Sequence, residues 1–221
     1  MTAWSETDRR WRRLLRPAWP AFLRRTRPLS DFWGFDRGTP VDRHYIEAFL
    51  AEHRADIRGR VLEVQDSVYT DLYGSGVEAR DVLDVDPANP RATIVADLSK
   101  PESLPEGVFD CFILTQTLHL IYDLRAALRS CHRLLRPGGV LLVTGPAVSR
   151  FRGGEDYWRF TSASLERLLE EVGPATVRAY GNVLAANAFL SGMAREEVPG
   201  RLLDEQDEHF PVIVAGRAVK A

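Results

Sequence analysis

Short apolar runs and helix-spaced apolar stripes take turns along the chain. Gly59-Arg60-Val61-Leu62-Glu63-Val64, Val82-Leu83-Asp84-Val85-Asp86 and Ala92-Thr93-Ile94-Val95-Ala96-Asp97 are three such runs. Phe109–Thr115, Val140–Thr144, Thr176–Tyr180 and Val212–Arg217 are four more. Runs of this length, rich in branched residues and nearly continuous, suit strands covered on both faces. Between them lie helix-spaced stripes. Val41, Tyr45, Ile46, Phe49 and Leu50 form one, opened by Thr39-Pro40-Val41-Asp42, which reads as a cap, a proline in the first turn and an acid three residues on. Asp66 to Tyr73 predicts a short helix stopped by Gly74-Ser75-Gly76, and Asp123 caps a helix to about Leu135, broken by Arg136-Pro137-Gly138-Gly139. Ser162–Val172 and Val183–Met193 supply two further helices. The alternation predicts a doubly wound α/β sheet.

The first three runs each end in or near an acid: Glu63, Asp86 and Asp97. Open α/β sheets bind ligands beyond the carboxyl ends of their strands, and an acid about 20 residues past the first turn commonly holds ribose hydroxyls. Three carboxylates on one sheet edge therefore suggest an adenosine site. Asp84 and Asp86 both precede the Pro87-Ala88-Asn89-Pro90 turn, and Asp86, nearer the end of the run, is the expected ribose ligand. Gln116-Thr117-Leu118-His119 follows the fourth run. His119 is a candidate general base because a neutral imidazole is available near pH 7; a structural histidine in a strand-to-helix turn is the competing reading. Asp156, Tyr157 and Arg159, after the Gly- and Arg-containing loop from Gly145, either bind a polar acceptor or anchor that loop. Arg37, Arg43 and Tyr45 are candidates for a carboxylate-binding group, with an ordinary salt bridge as the alternative for each arginine.

These residues carry a family likeness. Over roughly Gly59 to the C-terminus the chain resembles the class I S-adenosylmethionine-dependent methyltransferases. It is similar, more narrowly, to a bacterial branch of small methyltransferase-domain proteins often found near glycosyltransferases. The stretches that carry this are Asp36-Arg37-Gly38-Thr39-Pro40-Val41-Asp42-Arg43, Asp86-Pro87-Ala88-Asn89-Pro90-Arg91-Ala92-Thr93, Leu114-Thr115-Gln116-Thr117-Leu118-His119-Leu120-Ile121-Tyr122-Asp123 and Asp156-Tyr157-Trp158-Arg159-Phe160-Thr161. The resemblance implies a Rossmann-like sheet of about seven strands, mostly parallel, with an antiparallel last strand. It implies S-adenosyl-L-methionine as cofactor, held by Glu63, Gln65, Asp66, Ser67, Tyr69, Asp86, Pro87, Asp97, Leu98 and Gln116. Its acceptor would be a small molecule, sugar or glycosylated metabolite, met by Arg43, Tyr45, Asp156, Tyr157 and Arg159. The chain departs from the family where the first turn should be rich in glycine: Gln65, Ser67 and Tyr69 stand there instead. Glycine allows positive φ and close approach to a ligand, so these residues also admit a protein that keeps the fold but does other chemistry, or serves as a partner subunit.

Composition adds three constraints. An apolar content of 45% over 221 residues suits one α/β domain, expected at 39–221, behind a basic extension or lid at 1–38. Net charge is only −2, which gives no case for nucleic acid, yet residues 1–28 alone carry +6 through eight arginines. Residues 5–16 predict a basic helix with Trp4, Trp11, Leu14 and Leu15 toward one face and Pro17 at its end. A lid packed through its tryptophan face is the favoured reading, and weak contact with a membrane surface or another protein is the rival. No apolar run is long enough to span a membrane, so a cytoplasmic location is expected. Cys111 and Cys131 lack zinc-ligand spacing and read as buried thiols.

Overall fold

The computed structural model describes residues 5–15 and 26–221. Trp4, Arg16, Pro17, Arg24 and Arg25, all part of the expected basic extension, lie outside the described residues.

Seven strands form one sheet in the order β3-β2-β1-β4-β5-β7-β6. They are β1 (Gly59–Val64), β2 (Val77–Asp84), β3 (Ile94–Val95), β4 (Phe109–Thr115), β5 (Leu135–Pro146), β6 (Ala175–Tyr180) and β7 (Ile213–Val219). β1 pairs in parallel with β2 and β4, β2 with β3, and β4 with β5. The last strand is antiparallel. Lys220 N–H donates to Gly139 and Gly138 N–H to Lys220, while Ala147 N–H, just past the end of β5, donates to Val212, just before β7. Val61, Leu62, Phe112, Ile113, Leu141 and Leu142 are fully covered, as near-continuous apolar runs in a parallel sheet require.

The helices are α1 (Glu6–Leu15), α2 (Val41–Glu52), α3 (Val68–Tyr73), α4 (Leu124–Leu134), α5 (Ser162–Leu169), α6 (Val183–Leu190) and α7 (Gly200–Asp204). Asp123 caps α4 as expected, accepting from Ala126 N–H at 2.9 Å. Thr161 and Ser164 close a reciprocal capping box on α5. Cys111 and Cys131 are buried free thiols whose pKa values burial raises well above the usual range.

Four expectations need correction. The third strand shrinks to Ile94–Val95, because Ala92, Thr93 and Ala96 bond into turns and to β2 from outside a continuous ladder. β2 begins at Val77 and ends at Asp84, so Asp86 lies beyond the strand. β5 starts at Leu135 with no intervening break, since Gly138, at φ 79°, lets the chain turn straight into pairing with Lys220. α2 begins at Val41, so Thr39, the expected cap, lies two residues before it, and its N–H and hydroxyl both donate to Glu196.

By contact the chain forms two compact units. One comprises Met1–Tyr45, Ala147–Phe151 and Ala179–Ile213; the other comprises Ile46–Pro146, Arg152–Arg178 and Val214–Ala221. In the first, a buried polar network organises the segment after residue 26. Ser30 Oγ donates to Asp36, and Arg37, only 1% exposed, forms a two-pronged ion pair with Glu197. The second contains β1 to β5 and every strand end discussed next.

Candidate functional site

The parallel strands of the second unit deliver three carboxyl ends to one edge of the sheet. At the end of β1, Glu63 is 2% exposed. Its carboxylate accepts from Tyr69 N–H at 3.0 Å and from Thr70 N–H and hydroxyl at 2.7 Å each. Burial pushes its pKa up to about 7, although the three donors pull the other way. Glu63 therefore pins the start of α3 and is not one of three carboxylates offered to a ligand. Between these anchors, Gln65 adopts φ 72°, the left-handed conformation that favours glycine. Its N–H donates to Leu83, its carbonyl accepts from Asn89, and the residue is exposed. Asp66 accepts from Val68 N–H, Ser67 reaches Asp71, and Tyr69 packs toward Tyr73.

At the end of β2 the two neighbouring acids part company. Asp84 accepts from Asp86 N–H at 3.0 Å and from Asn89 Nδ2 at 2.6 Å, so both its oxygens hold the turn together. Asp86 is exposed, and one of its oxygens accepts from Ala88 N–H. The preference for Asp86 over Asp84 thus rests on a different ground from position within a shared strand: Asp84 is occupied internally. Pro87 is exposed beside it. Beyond β3, Asp97 binds Ser99 N–H and hydroxyl through one oxygen and faces Lys100 at 3.4 Å. Partial burial would raise its pKa, but those partners outweigh this and hold it below the usual range. Leu98, its neighbour, is buried.

The end of β4 differs in kind. Gln116 also takes a left-handed backbone, φ 47°, with its N–H donating to Thr144 on β5. Among the described residues, Gln116 Nε2 and His119 Nδ1 are buried without a hydrogen-bond partner. Buried polar atoms are nearly always paired, so two orphans three residues apart are what a ligand-facing wall would leave. Burial pushes the His119 pKa down to about 4; Asp156 opposes that shift, and Arg159 and Arg152 add to it.

The segment after β5 is stapled to this turn. Tyr157 and Trp158 N–H groups both donate to the His119 carbonyl, and Trp158 Nε1 donates to Ile121. A Cβ on Gly145 would meet the Phe160 ring at 2.5 Å, so glycine is what lets Phe160 lie against the end of β5. Asp156 accepts both prongs of Arg159 and the N–H of Arg152. These bonds tie Asp156 to its own loop, and the exposed side chains beside it are aromatic. Tyr122 and Tyr157 meet edge-on at 5.3 Å between centroids while remaining 72% and 45% exposed, and Trp158 lies 6.0 Å from Tyr122. Tyr122 is not among the expected site residues, although it stands in the Leu114–Asp123 stretch, directly before the α4 cap.

Other predicted residues sit in the first unit. Tyr45 is buried and donates to the Leu203 carbonyl at 3.0 Å. Arg43 lies over the Phe35 ring and 3.8 Å from Asp42, and Arg37 is committed to Glu197. Each has a local structural role.

Residues 59–143, from the first residue of β1 into β5, match a family model described as a methyltransferase domain. A SAM-dependent methyltransferase from Archaeoglobus fulgidus shares the fold at a TM-score of 0.54 and 12% identity, over 80% of this chain and 94% of that one. A chain from a structure described as the complex between the Haloferax volcanii Trm112 methyltransferase activator and a methyltransferase candidate matches at 0.56 and 15%, over 81% and 92%. The 4+2 cyclase SpnF matches at 0.52 and 17%, over 80% of each. At such identities the likeness is one of fold. No curated protein matches the chain. The sheet is seven-stranded and Rossmann-like, and the methyltransferase-domain match lies on its first half, from β1 into β5. No helix among the described residues is long and apolar enough to cross a membrane.

Proposed function

We propose that the protein is an S-adenosyl-L-methionine-dependent methyltransferase for a small-molecule, sugar or glycosylated acceptor. The observation that carries this is the end of β4, where two unpartnered buried polar atoms stand beside an exposed aromatic shelf. The residues present fit the cofactor. Gln65 keeps the glycine-like backbone although its side chain differs, Asp86 is exposed for ribose hydroxyls, and Leu98 offers apolar cover beside Asp97. S-adenosyl-L-methionine, when bound, supplies an electrophilic methyl on a sulfonium. The chain's own part is to align an acceptor and take up one proton. Gln116 Nε2 would donate a hydrogen bond, and His119 Nδ1, neutral at physiological pH, would receive the proton of a hydroxyl or amine acceptor. Tyr122, Tyr157 and Trp158 offer faces and edges that suit the C–H face of a sugar or an aromatic ring. The Asp156–Arg159 pair holds this shelf in place. Residues 1–38 serve in this reading as an extension to the domain at 39–221.

Calorimetric titration with S-adenosylhomocysteine, followed by turnover of methyl-labelled cofactor against pooled sugars and glycosylated metabolites, tests the proposal. Binding with labelled product supports it. Absence of binding at millimolar ligand sinks it. A second reading, binding without methyl transfer, is favoured by the bulk of Gln65 and Tyr69 where glycines are usual, and this fold carries a cyclase in SpnF. Cofactor affinity without any labelled product across the pool would select it.

A further inference from the structure

α1 is amphipathic in an unusual orientation. Trp11, Leu14 and Leu15, spaced i, i+3 and i+4, form one stripe, and Arg9, Arg12 and Arg13 lie on the opposite side. An amphipathic helix on a soluble domain normally turns its apolar stripe inward. Here the arginine side faces the protein: Arg12 reaches Asp36 at 3.4 Å and Arg13 donates to the Arg37 carbonyl. The apolar stripe is left outward, with Trp11 59%, Leu14 62% and Leu15 75% exposed. That overturns the expected lid packed through its tryptophan face. The acceptors on the protein side belong to a rigid scaffold, since Asp36 also takes the Ser30 hydroxyl and Arg37 is locked to Glu197.

We propose that α1 is a docking element for a lipid surface bearing anionic headgroups. Charge selects this occupant. Residues 1–28 carry +6 whereas the rest of the chain carries −8, so attraction to an anionic surface is confined to this segment. A helix lying in a bilayer interface needs tryptophan and leucine downward and arginines at its flanks and above, within reach of phosphates. α1 presents that arrangement with its upper side already fastened to the domain, so ordering the helix costs little on binding. A second copy of this chain would also cover the stripe, but two such segments would bring +6 against +6. The inference does not depend on the proposed activity.

The test is sedimentation of the full-length protein with vesicles of phosphatidylglycerol or of phosphatidylcholine, at low and high salt, beside two variants. Binding to phosphatidylglycerol is expected, with little to phosphatidylcholine, and it should weaken sharply at high salt. Trp11→Ser/Leu14→Ser/Leu15→Ser should lower partitioning at least about tenfold. Arg10→Gln should lower it by about fivefold. The altered side chains are largely exposed, so the melting temperature should hold in both variants. No binding to phosphatidylglycerol at low salt, equal binding to both lipids, or binding untouched by the triple substitution would each overturn the proposal. So would a dimer, seen by sedimentation velocity, that the triple substitution dissolves while vesicles bind nothing.

Discussion

The carboxyl ends of β1 and β4 are built alike and behave differently. Each passes directly into a glutamine with a left-handed backbone, Gln65 at φ 72° and Gln116 at φ 47°. Around Gln65 every anchor is taken: Glu63 holds Tyr69 and Thr70, and Asn89 joins the Gln65 carbonyl to Asp84. Around Gln116 the main chain is satisfied by Thr144, but the side-chain amide and the His119 imidazole are buried with unpaired atoms. The same backbone device thus serves a closed, self-supporting loop in one place and a turn with unpaired buried side-chain atoms in the other. Glycine's absence at the first turn removes freedom from the side chain, not the conformation that glycine is usually needed for.

The largest expected effect separates the two ends functionally. His119→Ala should lower kcat about a hundredfold, toward the lower end of what loss of a general base costs, because an imidazole with a pKa near 4 is a weak base. Affinity for S-adenosylhomocysteine should barely change. Titration adds a sign. The folded pKa of His119 lies below the ordinary 6.5, so the folded state binds fewer protons between those values. Its contribution to stability is present above pH 6.5 and is lost as pH falls toward 4. Urea melts of parent and His119→Ala across that window check this; equal pH slopes in the two proteins would mean the histidine is not buried as described.

Glu63 should carry the largest stability effect at the other end. Glu63→Ala leaves Tyr69 N–H and both Thr70 donors without their acceptor, which should cost about 3 kcal/mol or more. Here the folded pKa is raised, from 4.5 to about 7. The folded state binds the extra proton in that window, so the contribution is full below pH 4.5 and is lost as pH rises through 7. Glu63→Gln should flatten the slope. A parent protein whose stability climbs from pH 5 to 7 through this residue would refute the assignment.

How much of this could be read in advance follows physical lines. The strands β1, β4 and β5 announce themselves because burial on both faces demands continuous apolar runs. β3 shows in the sequence but not its length, since only Ile94 and Val95 pair and the flanking residues belong to turns. Asp123 capping α4 is local and was legible. The commitment of Glu63 to α3, of Arg37 to Glu197 and of Asp156 to Arg152 and Arg159 was not. Residue type gives a carboxylate or guanidinium but not which donor or acceptor the fold brings to it. The orphaned atoms of Gln116 and His119 are likewise products of tertiary burial, invisible in spacing. Exposure of the Trp11 stripe reverses what amphipathicity alone implies, because helical periodicity identifies two faces without saying which turns inward.

A smaller effect tests the intermediate strand end. Asp86→Ala should weaken S-adenosylhomocysteine binding about ten- to a hundredfold, the value of charge-assisted bonds to ribose hydroxyls, with little change in unfolding. Asp84→Ala should do the reverse, because Asn89 Nδ2 and Asp86 N–H lose their acceptor and the turn beside Gln65 loosens. Calorimetric titration and urea melts of both variants give the answer. Loss of affinity in Asp84→Ala alone would move the ribose site by two residues.

The smallest effect is the sharpest test of the two glutamines. A non-glycine residue in the left-handed region costs about 1–2 kcal/mol of local strain, and glycine relieves it while giving back part of the gain as unfolded-chain entropy. Gln65→Gly should therefore stabilise the protein by about 0.5–1 kcal/mol, since the exposed side chain forfeits no buried contact and both main-chain bonds, to Leu83 and from Asn89, survive. Cofactor affinity should hold or rise, as space opens next to the loop. Gln116→Gly relieves the same kind of backbone strain and deletes the buried amide, so its stability should change little or improve while turnover falls. Urea midpoints give the first quantity, and titration with labelled-methyl turnover the second. If both variants gain stability and both keep full activity, Gln116 is merely a residue in a strained turn, and the contrast between the two strand ends dissolves. If Gln65→Gly loses affinity instead, the exposed glutamine is itself a ligand contact, and the loop at β1 is open where its bonding pattern says it is closed.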